Sequence, residues 1–218
     1  MYQKIFLRIS IFIGMAQIFA CQPKTEKVSL PYYNTPDFTP QFLTNQQDVT
    51  AKINHKIGNF SFIDQNGEKI TQKNIENRIH IANFIFTSCG SICPVMTKHM
   101  KLVDSAFNDD IELVILSYSV TPWIDDVERL KKYTHRNNIK NKNWHFLTGN
   151  KAEIYDLARK SYFAEEDLGF TKDSTDFLHT EHVLLVDKNK RIRGIYNGTL
   201  QLETEQLIKD IIALKKEN

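Results

Sequence analysis

A near-continuous apolar run at residues 79–86 leads directly into a pair of cysteines, and this junction strongly constrains the fold. An apolar run without alternating polar residues predicts a strand that is buried on both faces of a sheet. Cys89 and Cys93 follow at once, and Pro94 is a residue that suits the first turn of a helix. The sequence therefore predicts a central strand, a short turn that carries Cys89, and a helix over 94–107.

Strands and helices alternate along the rest of the chain. The pattern predicts hairpins at 60–71 and 182–196, strands at 111–119 and 144–147, and helices at 124–135, 150–162 and 200–216. Asn66 and Gly67 supply the turn of the first hairpin, because Asn-Gly tolerates positive φ. Hairpins that flank βαβ units predict the α/β class, with a central mixed β-sheet flanked by helices.

The first 20 residues have the form of an export signal. Lys4 and Arg8 precede an apolar stretch at 9–20 that is too short for a comfortable transmembrane span. A small residue, Ala20, stands before Cys21, as at a bacterial lipoprotein cleavage site. We expect residues 1–20 to be a lipoprotein-type signal peptide and Cys21 to carry the lipid. An ordinary secretory signal and an uncleaved anchor are the alternatives.

The segment 21–52 is polar and rich in proline, and it predicts a tether that holds a domain of residues 53–218 off the membrane. Its aromatic residues, among them Tyr32 and Phe38, are candidates for docking onto that domain. This organisation places the protein in the bacterial cell envelope, membrane-anchored and facing the periplasm. The near-neutral balance of 28 basic and 26 acidic residues gives no reason to expect nucleic acid as a partner.

With Cys21 assigned to the anchor, Cys89 and Cys93 are the remaining cysteine pair. A thiol at a helix N-terminus faces unpaired N–H groups and the positive end of the helix dipole, and both lower its pKa. The resulting thiolate binds metals and attacks disulfides. The pair therefore suits either a redox couple that closes to a disulfide or a metal site. An inert bridge is disfavoured, because so small a loop removes little chain entropy.

Three stretches of the sequence resemble the Sco/SenC family of thioredoxin-like copper-binding proteins. They are the CxxxC-Pro segment 86–94, the segment 119–130 and the hairpin segment 177–196. The resemblance covers roughly 53–214 and implies a thioredoxin-like fold with an N-terminal hairpin and a late hairpin insertion. It also implies one copper ion held by Cys89, Cys93 and a distant histidine, which by its position is His179.

The chemistry of that ligand set agrees with copper. Two thiolates and an imidazole suit Cu(I) and also a thiolate-rich Cu(II) site, whereas a structural zinc site would want a fourth protein ligand. His182 is the rival of His179, but residues three apart in an extended segment point to opposite faces. The histidines at 55, 80, 99, 135 and 145 are interpreted as surface or edge residues. Met96 is interpreted as core rather than as an auxiliary ligand.

The sequence departs from the family pattern at two places. Residues 90–92 stand where the family often has a proline and an acidic residue, and Thr121 stands where it often has aspartate. Asp125 and Asp126 follow, and we interpret both as acidic residues of a solvated helix N-terminus.

The resemblance implies a copper metallochaperone for the binuclear copper centre of cytochrome c oxidase, or a protein that reduces the cysteines of that centre before metallation. The implied partners are cytochrome c oxidase subunit II or another copper acceptor, a thiol reductant protein, and the membrane through the lipid anchor. On this hypothesis the protein is a chaperone rather than an enzyme. The alternatives are a thiol–disulfide oxidoreductase without physiological copper delivery, and a redox or copper sensor.

Overall fold

A nine-stranded mixed sheet organises the part of the chain that this computed structural model describes, residues 29–108, 110–164 and 180–217. The strands are β1 (Tyr32–Tyr33), β2 (Pro40–Gln41), β3 (Ser61–Asp64), β4 (Lys69–Thr71), β5 (Ile79–Ile85), β6 (Leu113–Ser119), β7 (Trp144–Thr148), β8 (His182–Val186) and β9 (Ile192–Asn197). The helices are α1 (Gln46–Lys52), α2 (Ile92–Ala106), α3 (Val127–Arg136), α4 (Lys151–Lys160) and α5 (Gln201–Lys216), with a 3₁₀ turn at Gln72–Ile75. The strand order is β2-β1-β9-β8-β5-β6-β7-β3-β4.

The centre of the sheet is parallel and buried. β5 pairs in parallel with β6, and β6 with β7, whereas β8 lies antiparallel on the other side of β5. Every residue of β5 and β6 is buried, as their apolar runs predict. Their side chains alternate into two apolar clusters, one around Phe84 and Tyr118 and the other around Ile81 and Met96 of α2. The predicted α/β class and mixed sheet are confirmed.

Local signals in the sequence account for most element boundaries. Gly67 turns the β3–β4 hairpin with a φ of 78°, and the side chain of Asn150 caps α4. Helix α2 begins at Ile92, two residues earlier than expected, so that Cys93 lies inside its first turn. Helix α3 begins at Val127, because the Asp126 side chain accepts a hydrogen bond from the Arg129 N–H at 2.8 Å and caps it.

Residues 29–52, which the sequence assigns to the tether, are bound to the sheet. Strand β1 pairs with β9, and Leu30 and Tyr32 are buried. The Arg193 guanidinium donates to the Leu30 carbonyl at 2.7 Å and lies 3.9 Å from the centroid of the Tyr32 ring. Phe38 also packs against the core, so the aromatic residues of this segment do dock. The division of the chain at residue 53 stays a prediction.

In the three described ranges, no helix has the length and apolar character that crossing a membrane requires. The signal segment 1–20 and the lipidation residue Cys21 lie outside those ranges, and their roles stay predictions.

Candidate metal and thiol site

The cysteine pair lies at the carboxyl end of β5, where the chain turns into α2. The Cys89 N–H donates to the Phe86 carbonyl at 3.0 Å and closes a tight turn. Gly90 and Ser91 follow as exposed residues, and Cys93 is then buried in the first turn of α2. Cys89 is half-buried, and both cysteines are free thiols. The fold therefore brings one accessible and one buried thiol to the N-terminus of a helix.

Hydrogen bonds stabilise the thiolate of Cys89. Burial acts to raise the pKa of this thiol, but the backbone N–H groups of Cys93 and Ser91 and the Ser91 hydroxyl outweigh it and lower the pKa to about 7. The Ser91 Oγ lies 3.6 Å from the Cys89 Sγ. A large fraction of Cys89 is therefore thiolate near neutral pH, which is the form that reacts and binds metal.

Cys93 has the opposite character. Burial raises the pKa of its thiol to about 12, and the neighbouring Cys89 and the charge of Asp125 add to the rise, although a hydrogen bond with the Phe86 backbone opposes it. Cys93 therefore stays protonated until a metal ion or a disulfide takes the place of its proton. The two thiols thus differ in both exposure and acidity.

A buried carboxylate lies behind the cysteine turn. Asp125 is 0 % exposed, and it accepts hydrogen bonds from the Ser119 hydroxyl at 2.6 Å and the Thr121 hydroxyl at 3.0 Å. It also accepts from the N–H of Thr87 at 3.3 Å and from the Thr87 hydroxyl. The interpretation of Asp125 as a solvated residue is wrong, because hydroxyls from two loops enclose it. Asp126 alone is the exposed cap of α3.

Arg129 connects this carboxylate to the residues that precede Cys89. Its Nε lies 3.5 Å from the Asp125 carboxylate and donates to the Thr87 hydroxyl at 2.8 Å. Its Nη2 donates to the Ser88 hydroxyl. A cavity of about 360 Å³ opens beside these groups, and Thr87, Arg129 and Tyr133 are among its lining residues. The sequence does not predict this network, because the hydroxyl residues Ser119 and Thr121 shortly before Asp125 are its only local signal.

His179 lies outside the described residues, so the proposed third ligand has no observed position. The chain enters β8 at the same end of the sheet where β5 ends, because Val183 pairs with Asn83 in antiparallel register. The ring of His182 lies 5.8 Å from that of Phe38, in contact with the cluster on the sheet face opposite α2, whereas Val183 packs into the α2 cluster. His182 therefore points away from the face on which α2 lies.

Three of the histidines that we interpreted as surface or edge residues are instead buried: His80, His99 and His145. Their ring nitrogens contact the Tyr162 hydroxyl at 3.2 Å, the Gly198 carbonyl at 2.9 Å and the Asp64 carboxylate at 3.0 Å, respectively. Such partners allow a polar ring to be buried. His135 is exposed, as expected, and Met96 is a core residue. No group of three or more His, Cys, Asp or Glu side chains forms a metal site within the described residues.

A mixed sheet whose central strand runs through a cysteine pair into a helix defines a thioredoxin-like thiol protein. The match to family models specifies the class further, because the SCO1/SenC model matches residues 48–216. The chain belongs to the SCO1/SenC family. The SCO1 protein homolog of Bacillus subtilis is 30 % identical to it over 167 residues, which cover 76 % of this chain and 86 % of that protein.

Solved structures of the same family share the fold. BsSco, described as a cytochrome c oxidase assembly protein with a disulfide switch, is 29 % identical, with a TM-score of 0.63 over 74 % of this chain and 94 % of that one. A SCO1/SenC family lipoprotein of Bacillus anthracis is 25 % identical, with a TM-score of 0.65 and coverages of 75 % and 96 %. ScoI of Bradyrhizobium japonicum with copper bound is 26 % identical, with a TM-score of 0.57 and coverages of 72 % and 98 %.

Proposed function

We propose that this protein is a copper chaperone that delivers copper to a cytochrome c oxidase subunit II or to another copper acceptor. The observation that carries the proposal is the pair of free thiols of Cys89 and Cys93, held together at the end of β5. Thiolates are soft ligands that select copper in preference to hard cations. The copper-bound ScoI relative and the family's link to oxidase assembly support the same function.

The ligand set of the proposal is Cys89, Cys93 and His179. His179 precedes β8 by only three residues, and three extended residues span at most about 10 Å. β8 itself begins beside the end of β5, so a ligand from this position is within reach of the thiols. A bound copper ion is the cargo of the protein, and the three side chains hold it until an acceptor takes it over.

Copper titration of single variants tests the ligand set. A Cu(II) ion bound by thiolates absorbs through a sulfur-to-copper charge-transfer band. We expect His179→Ala to lower the affinity for Cu(II) strongly and to change this band, whereas Cys89→Ser or Cys93→Ser abolishes it. His182→Ala is the matched control, because it removes a neighbouring histidine that packs on the other face of the sheet. Equal copper binding by the wild type and His179→Ala would exclude the three-ligand site.

The anchor is part of the same proposal. We propose that Cys21 carries a lipid that holds the domain at the periplasmic side of a bacterial membrane, as the B. anthracis lipoprotein relative suggests. Metabolic labelling with radioactive palmitate is expected to mark the wild type but not Cys21→Ser, while copper binding of the two is the same. A wild type that takes up no label would contradict lipid anchoring at Cys21.

The second candidate function is reduction of a partner's disulfide, and the unequal acidity of the two thiols favours it. The Cys89 thiolate attacks a partner disulfide, forms a mixed disulfide and releases one partner thiolate. Cys93 then gives up its proton and attacks the Cys89 sulfur. This step forms the Cys89–Cys93 disulfide and releases the second partner thiol, so that two electrons pass to the partner. A thiol reductant protein restores the pair.

Comparing the His179→Ala variant with the wild type separates the two functions. Copper delivery needs all three ligands, whereas disulfide reduction needs only the cysteines. His179→Ala is therefore expected to keep the capacity to reduce a peptide disulfide while losing tight copper binding. If His179→Ala keeps oxidase assembly in cells at the wild-type level, copper delivery is not the function of the site.

A further inference from the structure

Two charged residues of the β6–α3 region hold the residues that lead into the cysteine turn. Asp125 binds both the N–H and the hydroxyl of Thr87, and Arg129 donates to the hydroxyls of Thr87 and Ser88. The two charged side chains also pair with each other, at 3.5 Å. We call these four residues the turn clamp.

Burial of the Asp125 carboxylate would destabilise the folded protein if this side chain made no such contacts. A carboxylate that is 0 % exposed loses its hydration, and hydrogen-bond donors and an opposite charge must compensate for that loss. Helix α3 does not need Asp125, because Asp126 already caps its first turn. The donors that Asp125 gathers come from the end of β6 and from Thr87, which is 38 residues distant in the chain.

The other side of Cys89 has little packing of its own. Gly90 and Ser91 are exposed, and a Cβ at Gly90 would meet no atom within 4 Å. A glycine-containing exposed turn loses much conformational entropy when it is ordered. The turn clamp, on the preceding side, thus limits where the Cys89 sulfur can lie relative to Cys93.

We propose that Asp125, acting through Thr87 and Arg129, is a positioning residue that pre-organises the Cys89 and Cys93 thiols. The proposal rests on the proposed function for copper, but it holds equally for closure of the disulfide. Both events need the two sulfur atoms near each other, and a loosened turn lowers the effective concentration of one thiol at the other.

The main test is Asp125→Asn, which keeps the volume of the side chain and removes its charge. If the cysteine turn of this variant is free to move before copper binds, binding must order about one more residue, which corresponds to a roughly tenfold weaker affinity for Cu(II). We expect the Cu(II)–thiolate charge-transfer band to shift as well.

Asp64→Asn is the matched control. Asp64 is also 0 % exposed and holds a turn, accepting from the N–H groups of Asn66 at 2.8 Å and Glu68 at 3.0 Å, far from the cysteines in the β3–β4 hairpin. We expect the control to lose stability but to keep the band and the affinity.

A second variant keeps the test valid if Asp125→Asn does not fold. Arg129 is partly exposed, so Arg129→Gln should fold, and it removes the donors to Thr87 and Ser88. Lys132→Gln, one turn later on the same helix, is its control, since Lys132 pairs only with Glu128 among its described contacts. We expect Arg129→Gln to weaken copper binding in the same direction as Asp125→Asn, and Lys132→Gln to leave it unchanged.

A copper-free measurement separates this inference from the proposed function. In glutathione redox buffers, the equilibrium constant for closing the Cys89–Cys93 disulfide is expected to fall several-fold in Asp125→Asn and Arg129→Gln, but not in Asp64→Asn or Lys132→Gln. If the wild type binds no copper, the proposed copper function is wrong. The disulfide equilibrium of the variants would still test whether the turn clamp positions the two thiols. Folded clamp variants with wild-type disulfide equilibrium and wild-type charge-transfer band would overturn the inference.

Discussion

Cys89 and Cys93 stand four positions apart in the chain and meet different surroundings. Hydrogen bonds from the backbone at the start of α2 outweigh partial burial for Cys89 and lower its pKa to about 7. Cys93 is buried in the first turn of α2, and burial raises its pKa to about 12. At the scale of single residues, the site thus contains one thiol that is partly deprotonated near neutral pH and one that stays protonated.

The reactivity of the thiols should follow this asymmetry. We expect iodoacetamide to modify Cys89 first, with a rate that rises with pH, reaches half its maximum near pH 7 and levels off about one to two pH units higher, where the thiol is almost wholly thiolate. Stopped-flow or mass-spectrometric measurement of alkylation at several pH values checks this. Cys89→Ser should abolish the fast phase and Cys93→Ser should keep it. A fast phase that survives in Cys89→Ser would contradict the assignment.

At the scale of elements, helix α2 is held against the hairpin of β8 and β9 by a close approach at Gly198. A Cβ at Gly198 would lie 2.8 Å from a methyl of Val183, 3.1 Å from Met96 Cε and 3.2 Å from the backbone oxygen of Glu181. The Gly198 carbonyl also contacts the ring of His99 on α2 at 2.9 Å. The helix that carries Cys93 is therefore in direct contact with the residue that follows β9 of this hairpin.

Gly198→Ala should show how tight this contact is. The added methyl group has to displace the backbone of Glu181 or the side chain of Val183, and overpacking of this kind typically costs about 1–3 kcal/mol. Urea unfolding measures the loss. Gly90→Ala is the matched control, since nothing lies within 4 Å of its Cβ, and its free energy of unfolding should change little. Equal stability of both variants would mean that the hairpin does not pack on α2 as described.

At the scale of the whole molecule, polar groups are enclosed within the apolar layer on one side of the sheet. His80 of β5 is 0 % exposed, and its Nε2 contacts the Tyr162 hydroxyl, which in turn lies 3.1 Å from that of Tyr118. Burial lowers the pKa of His80 to about 3, with the charge of Lys190 adding to the effect. The folded protein therefore keeps this imidazole neutral where an unfolded chain would take up a proton.

This difference makes the fold sensitive to mild acid. The unfolded chain binds a proton on His80 below its ordinary pKa of about 6.5, whereas the folded protein does not until about pH 3, so protonation favours unfolding over that window. Between pH 7 and pH 5, His80 alone should remove about 2 kcal/mol of stability. Urea unfolding at both pH values should show a smaller loss for His80→Gln than for the wild type. His135→Gln, at an exposed position, should keep the full loss.

The sequence by itself determined the order of the strands and helices from β3 to α5, the class of the fold and the candidate cysteine site, because these follow from local patterns. The run of β5 is apolar without interruption, the Asn66-Gly67 turn is local, and the caps of α3 and α4 lie within three residues of the groups that they bind. A resemblance in three short stretches then sufficed to indicate the family, which the match over residues 48–216 confirms.

Only the tertiary structure decided which polar residues are buried and what they hold. Thr87 and Asp125 are 38 positions apart, Leu30 and Arg193 are 163 apart, and His145 and Asp64 are 81 apart. The free energy of a buried charge or imidazole depends on partners that the fold brings from such distances, and no local pattern encodes them. For that reason the sequence located the two thiols, while the carboxylate behind them became visible only in the folded chain.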